Sequence, residues 1–192
     1  MDTLVTLAVG LCFCVLLVIG ARLLWWPYRK RPLSSIPDAV TVEVLRDIQI
    51  SDGVGGLIQI DFLLLTARGL VVLDVKDVSG TIFAADGINE WTAMHRNQRF
   101  SFQNPQHTLE YRVVAVQQVV KGLPVFGHIL FPRQAEFSKG KPKYVILPDE
   151  FLELYQKPDT LELERLLGAF YPYWEKVRDA SEQIKGKDSQ QC

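Results

Sequence analysis

Two aspartates and a lysine on consecutive apolar runs are the residues of this chain best suited to chemistry. Asp61 interrupts the run 58–65, and Asp74 and Lys76 end the run 70–76. Both runs are rich in aliphatic and β-branched residues, which is typical of strands. Because side chains two residues apart on a strand share a face, Asp74 and Lys76 are expected to point the same way.

The four residues between the runs predict how the strands pair. They suit a hairpin turn, since Gly69 can adopt the positive φ that such turns need. With a loop of two or four residues, Leu65 pairs with Leu70, and Asp61 then lies opposite Asp74. Facing carboxylates repel each other, so the pattern predicts either a cation or a shared proton between them.

A divalent cation at this position would indicate phosphodiester cleavage. Two acidic oxygens suit Mg²⁺ or Mn²⁺, and a nearby lysine can stabilise the charge that develops in the reaction. The candidate catalytic residues are therefore Asp61, Asp74 and Lys76, with the two aspartates as metal ligands. The alternative is a surface cluster in which Lys76 neutralises one aspartate and no catalysis occurs.

The rest of the pattern predicts an α/β fold in which helices cover one mixed sheet. Asn104 is a good helix cap, Pro105 suits the first helical position, and Gly122 suits a helix end. The expected order is a strand at 42–50, the hairpin, a strand at 78–83, a continuation of the same sheet at 90–102, a helix at 105–121, a strand at 125–131, a basic loop at 134–143, a strand at 144–147, and helices at 148–156 and 160–182.

The first segment predicts a membrane anchor. Residues 3–21 carry no charge, and nineteen helical residues span about 28 Å, close to the bilayer core. The aromatic residues Trp25, Trp26 and Tyr28 and a basic cluster at 29–31 follow, which places the rest of the chain in the cytoplasm as a single-pass protein of the cell membrane. A cleaved signal peptide fits less well, because a basic start and a clear cleavage site are missing.

These patterns divide the chain into five parts. They are an anchor at 1–28, a linker at 29–41, an α/β core at 42–147, C-terminal helices at 148–184 and a polar tail at 185–192 that is expected to be disordered. Cys12 and Cys14 lie in the anchor and Cys192 ends the chain, which excludes a disulfide framework and a cysteine-type zinc site.

A net charge of −1 hides an uneven distribution. Residues 96–143 contain eight Lys or Arg and two acids, whereas residues 149–182 contain nine acids and four bases. The basic segment could bind DNA or RNA, and the acidic helices could bind a protein partner. A mixed solvated surface is the alternative. The candidate nucleic-acid ligands are Arg96, Arg99, Arg112, Lys139, Lys141 and Lys143.

Several landmarks in order resemble the nuclease-related domain (NERD) family of the PD-(D/E)xK nuclease-like superfamily. They are Gln59-Ile60-Asp61, Gly69, Asp74-Val75-Lys76, Gly80, Trp91 and Asn104-Pro105. The resemblance covers roughly residues 42–120, with a superfamily-like strand at 125–131. It implies a restriction-endonuclease-like core and a role in DNA processing. It also implies that Asp61 and Asp74 hold Mg²⁺ while Lys76 orients or activates water.

Three positions depart from the family pattern. Asp74 stands where members usually carry glutamate. A glutamate-bearing helix usually precedes the first strand, and here Glu43, itself on a predicted strand, is the nearest acid. Thr108 stands where glutamine is usual, with Gln106 close by. Two alternatives therefore remain, namely a non-catalytic relative that binds nucleic acid and a membrane-tethered protein-interaction module.

Overall fold

The structure is a computed structural model that describes residues 32–188, with side chains as far as residue 184. The predicted anchor therefore lies outside the described residues. Within the described range, no helix combines the length and the apolar character needed to cross a bilayer. Two short 3-10 turns, Leu33–Ser35 and Pro37–Ala39, lead into the first strand.

The main sheet has five strands in the order β1-β2-β3-β7-β9. The first three are antiparallel, and β7 and β9 continue the sheet in parallel with β3. Leu65 pairs with Leu70 across a two-residue turn, which confirms the register predicted from the loop length. The strands are β1 (Glu43–Ser51), β2 (Leu57–Thr66), β3 (Gly69–Val75), β7 (Val125–Leu130) and β9 (Val145–Ile146).

A second sheet has four strands in the order β6-β5-β4-β8. The prediction that residues 90–102 continue the first sheet is therefore wrong. In the main sheet β3 lies between β2 and β7, and residues 90–102 instead pair with each other and with β4. The segment predicted as a basic loop also supplies a strand of this sheet. The strands are β4 (Gly80–Phe83), β5 (Glu90–His95), β6 (Gln98–Gln103) and β8 (Ala135–Phe137).

Three helices cover the main sheet, so the mixed α/β architecture is confirmed. Helix α1 (Pro105–Val119) and helix α3 (Thr160–Asp188) pack into one apolar cluster with the sheet. Helix α2 (Pro148–Leu154) packs into a second cluster with the opposite face of β3. Helix α3 continues past Pro172 and reaches Asp188, so it includes the first four residues of the predicted tail.

The C-terminal helix belongs to the core of the domain. Trp174 and Val177 are fully buried. The indole Nε1 of Trp174 donates to Oε2 of Glu43 at 2.7 Å, and the hydroxyl of Tyr171 donates to Oε1 of Glu43 at 2.8 Å. Glu43 is half-buried, and its hydrogen bonds to these two aromatic residues fix α3 against β1.

His128 lies in β7 on the α2 side of the main sheet. Its Nε2 is 2.7 Å from the hydroxyl of Tyr155, and its ring packs edge-on against Phe151. Burial, with a smaller contribution from the charge of Arg68, lowers the pKa of His128 from 6.5 to about 4. The imidazole is therefore neutral in the folded protein at neutral pH.

We expect His128 to make the fold sensitive to acid. Between pH 6.5 and 4 the unfolded chain binds the His128 proton and the folded chain does not, so stability falls as the pH falls through this window. A difference of this size corresponds to about 3 kcal/mol. Urea unfolding at pH 7 and pH 4.5 is expected to show a smaller loss in His128→Gln than in the wild type. An equal loss in both proteins would contradict this origin.

Candidate active site

Asp61 and Asp74 face the same cation. The pairing of Phe62 with Leu73 places Asp61 across from Asp74 at the next position of the hairpin. The Nη1 of Arg112 is 2.5 Å from Oδ1 of Asp74, and its Nη2 is 3.4 Å from Oδ1 of Asp61. A cation therefore lies between the carboxylates, as their repulsion predicts, and it is the guanidinium of Arg112.

Burial sets the electrostatics of the pair. The side chain of Asp74 is 1% exposed, whereas that of Asp61 is 33% exposed. Burial raises the pKa of Asp74, and the nearby charge of Asp61 raises it further. Arg112 opposes this increase through its charge and its hydrogen bond, and Lys76 opposes it to a smaller degree. Arg112 is thus the main counter-ion of the buried carboxylate.

The start of α1 fixes the position of Arg112 along the helix axis. Asn104 caps the helix by accepting from the backbone N–H of Gln106 at 3.0 Å. Its own amide donates to the carbonyl of Ile88 at 2.8 Å, which ties the helix start to the loop between β4 and β5. Arg112 lies two turns further along the helix.

A close approach between α1 and β7 brings Arg112 down to the sheet. Gly127 lies beneath the helix, and a Cβ on Gly127 would be 2.7 Å from Cγ2 of Val113 and 3.2 Å from Leu109. A larger residue in β7 would therefore lift the helix. The guanidinium would then move away from β3, because Arg112 and Val113 are neighbours on α1.

Arg112 is held mainly by the two aspartates. Its side chain is only 13% exposed. Among the side chains described, its Nε is buried and meets no hydrogen-bond acceptor. The guanidinium thus satisfies the carboxylates while one of its own donors stays unsatisfied, which is unfavourable in a buried position.

Lys76 follows β3 directly and lies beside the pair. Its backbone N–H donates to the carbonyl of Leu130 at 3.0 Å, which extends the parallel ladder between β3 and β7. The side chain is half-buried. Among the side chains up to residue 184, it forms no ion pair within 4 Å. Lys76 therefore keeps an ammonium group available beside Asp74.

The acids of β1 do not complete a metal site. Glu43 pairs with Leu65 in the β1–β2 ladder, four positions from the residue opposite Asp61, a separation of about 13 Å along a strand. Asp47 lies between the pairs Arg46–Phe62 and Ile48–Ile60 and so stands across from Asp61. It has a φ of 50° and an exposed side chain. Only the pairing of β1 with β2 reveals this neighbour, which sequence reasoning missed.

The donor atoms suit Mg²⁺ or Mn²⁺ in chemistry, but the arrangement holds a guanidinium. Hard divalent cations prefer carboxylate oxygens, and Asp61 and Asp74 supply them from adjacent strands. Within residues 32–184, no group of three histidine, cysteine, aspartate or glutamate side chains is placed to hold a metal ion. The two aspartates could therefore hold a divalent cation only if Arg112 released them.

Three of the basic candidates are occupied or partly occupied elsewhere. Arg112 binds the two aspartates, and Lys141 forms an ion pair with Glu150. The Nζ of Lys143 donates to the hydroxyl of Tyr144 at 2.8 Å. These contacts tie the segment before β9 to its neighbours.

The other three basic candidates are exposed. Arg96 and Arg99 belong to the hairpin of β5 and β6, and Lys139 follows β8. Arg96 has a φ of 46° in the hairpin turn, a conformation that is uncommon for residues other than glycine, asparagine and aspartate. Their charges are therefore accessible to a ligand.

Gln106, the near substitute for the usual family glutamine, has a structural role. It is buried, and its Oε1 accepts from the backbone N–H of Tyr144 at 3.4 Å. The backbone N–H of Lys143 and the side chain of Gln106 also hold the pKa of Asp86 below its usual value. Gln106 thus joins α1 to two loops rather than to the Asp61–Asp74 pair.

Comparison with known proteins agrees with these landmarks. A family model described as the nuclease-related domain matches residues 33–132, just over half of the 192-residue chain. An uncharacterized protein of Bacillus anthracis is 27% identical over 139 residues, which cover 70% of this chain and 65% of that relative. No solved structure matches the chain. The family match includes Asp61, Asp74, Lys76 and Arg112, and the chain therefore belongs to the nuclease-related domain (NERD) family.

Proposed function

We propose that this protein processes nucleic acid by metal-dependent cleavage of phosphodiester bonds at Asp61, Asp74 and Lys76. The observation that supports the proposal is the convergence of both carboxylates on one cation position at the end of β3. This position lies inside the segment that matches the nuclease-related domain. Lys76 comes directly after β3, where its ammonium group could stabilise the same phosphate.

Each residue has a role that follows from its surroundings. Asp74 and Asp61 would hold Mg²⁺ or Mn²⁺, and such a cation polarises a phosphate and lowers the pKa of bound water. Asp74 is buried and held by β3, so its carboxylate offers a fixed direction. Lys76 forms no ion pair with a carboxylate among the side chains described, and its ammonium group would stabilise negative charge that develops on the phosphate.

The hairpin of β5 and β6 is the surface we assign to the nucleic-acid backbone. It pairs with β4, the first strand after Lys76, and a Cβ on Gly80 of β4 would be 2.3 Å from the carbonyl oxygen of Met94 in β5. The Oγ of Ser79 is 3.4 Å from Nδ1 of His95. Arg96 and Arg99 extend from this hairpin as exposed cations.

We expect the double substitution Arg96→Ala and Arg99→Ala to weaken nucleic-acid binding and its salt dependence together. Each lost phosphate contact reduces the slope of log K against log salt by about 0.9 for duplex DNA. Fluorescence anisotropy with a labelled oligonucleotide at several salt concentrations would measure both quantities. Lys176→Ala, which removes an exposed charge from α3, is the control and is expected to change neither. Equal effects of the two variants would show that the hairpin is not part of the nucleic-acid interface.

Membrane attachment is part of the same proposal. The uncharged segment 3–21, followed by aromatic and basic residues, would tether the domain to the cytoplasmic face of the cell membrane. Fractionation of cells that make the full chain or a chain lacking residues 1–31 would test the tether. Equal solubility of the two proteins would contradict it.

A second candidate function is nucleic-acid binding without cleavage. The observation that favours it is Arg112, whose guanidinium already neutralises the two carboxylates. A site whose charge is permanently satisfied in this way would need no metal. Binding of nucleic acid by well-folded protein that never cuts would support this function.

The experiment that tests the proposal is a cleavage assay across substrates. The full chain would be incubated with supercoiled plasmid, single-stranded DNA and RNA, each with Mg²⁺, with Mn²⁺ and with EDTA. Asp61→Asn is the matched variant, since it removes one carboxylate and preserves size. Cleavage that requires metal and that Asp61→Asn reduces is the expected result. Cleavage that persists in EDTA would exclude the metal-dependent reaction.

A further inference from the structure

We infer that Arg112 and a divalent cation exclude each other at the Asp61–Asp74 pair, so that Arg112 is a built-in competitor that keeps the site closed. The inference rests on the proposed function, because it concerns the regulation of the same site. Its immediate basis is that the acceptor atoms bound by Arg112 are the oxygens that a metal would require.

The contacts show that the acceptors are shared. Arg112 uses Nη1 for Oδ1 of Asp74 at 2.5 Å and Nη2 for Oδ1 of Asp61 at 3.4 Å. One side chain thus engages an oxygen of each carboxylate. A divalent cation needs these oxygens at a shorter distance than a hydrogen bond allows. It would also repel the guanidinium, so the two cations cannot use the pair together.

The burial of Asp74 requires that whatever replaces Arg112 also neutralises the carboxylate. Asp74 is 1% exposed, and a buried carboxylate without a counter-ion is strongly unfavourable. Arg112 is therefore expected to leave only when another cation or a proton neutralises Asp74. Asp61 is 33% exposed, which leaves one side of the pair open to solvent.

The contacts of Arg112 favour its release from the two aspartates when a phosphate is present. Its Nε is buried without an acceptor among the described side chains. Its contact with Asp61 is longer than an ordinary hydrogen bond. A phosphodiester accepts two donors from one guanidinium and would offer Arg112 a complete set of partners. Nucleic acid and metal are therefore expected to promote each other's binding, because nucleic acid draws Arg112 away from the two aspartates and metal then occupies them.

The test is the affinity for Mn²⁺ of the full chain and its Arg112 variants, without nucleic acid. The electron paramagnetic resonance signal of free Mn²⁺ reports binding directly and needs no activity. Arg112→Met keeps an unbranched stem but removes the guanidinium and its charge. We expect it to bind Mn²⁺ at least about tenfold more tightly than the wild type, equivalent to about 1.4 kcal/mol. Adding Asp74→Asn is expected to abolish the gain.

A control guards against a variant that fails to fold. Circular dichroism would establish the fold of each protein before titration. If Arg112→Met does not fold without metal, Arg112→Lys replaces it, since lysine keeps the charge but loses the two-pronged contact. Arg112→Lys is then expected to bind Mn²⁺ more tightly than the wild type. Unchanged or weaker Mn²⁺ binding by the folded variant would overturn the inference.

Cleavage measured on the same samples separates this inference from the proposed function. Tighter Mn²⁺ binding by the variant, with no cleavage by any protein, would support competition and refute the nuclease proposal. Metal-dependent cleavage by the wild type, with no gain in Mn²⁺ affinity on replacing Arg112, would support the nuclease proposal and refute competition.

Discussion

Replacing Lys76 with alanine is expected to reduce metal-dependent cleavage at least about 100-fold, the usual effect of removing one group that stabilises charge in the transition state. The ammonium group follows the strand that carries Asp74 and is not engaged by a carboxylate among the side chains described. Single-turnover cleavage at saturating enzyme would measure the change in the chemical step.

The fold should tolerate this substitution. Lys76 is half-buried, and its described hydrogen bonds, from its N–H to the carbonyl of Leu130 and from the N–H of Val78 to its own carbonyl, involve only the backbone. Lys121→Ala is the matched control, because it removes an exposed lysine just beyond the end of α1. Full activity in Lys76→Ala would show that Lys76 does not take part in the reaction, and an equal loss in both variants would show that the effect is not specific to Lys76.

Replacing Trp174 with alanine is expected to lower the free energy of unfolding by about 3 to 5 kcal/mol, the range for removing a large buried aromatic side chain. Trp174 is fully buried in the cluster that joins α3 to the main sheet. The substitution would also leave Oε2 of Glu43 without the indole donor. Urea unfolding followed by circular dichroism would measure the loss.

A surface leucine on the same helix provides the comparison. Leu161 is 80% exposed, and Leu161→Ala is expected to change stability by no more than about 0.5 kcal/mol. If Trp174→Ala were equally mild, α3 would not be part of the core, and the role of Glu43 as its anchor would be wrong.

The local part of this fold could be predicted from sequence. The pairing of Leu65 with Leu70 follows from loop length and strand alternation, and the structure has this register. Asn104 caps α1 as its residue type and the following proline indicate. These features depend on neighbours within a few residues, where alternation, turn chemistry and capping act directly.

The long-range part could not be predicted in this way. The partner of Asp74 is Arg112, which lies 38 residues further along the chain. The partners of Glu43 lie 128 and 131 residues away. Alternation shows that Asp61 and Asp74 need a cation, but several arginines and lysines qualify by type. The cap at Asn104 and the close packing of α1 on Gly127 place Arg112, rather than another base, at the pair.

The division into two sheets was missed for a related reason. Residues 90–102 have the pattern of strands, and they form β5 and β6. Which strand they pair with depends on strands from distant parts of the chain. β7 comes after α1 and takes the second edge of β3, while β5 pairs with β4 and β6 in the second sheet. A pattern read along the chain does not include this competition.

The most direct test of the central claim compares the wild type with Asp74→Asn in one cleavage assay, with Mn²⁺ and with EDTA. Asparagine preserves the shape of the side chain and can still accept from Arg112, so the fold should persist, while the metal loses a charged ligand. We expect the wild type to cut only with Mn²⁺ and Asp74→Asn to cut at least about 100-fold more slowly. Equal cutting by the two proteins would contradict the claim that this carboxylate pair is the site of cleavage.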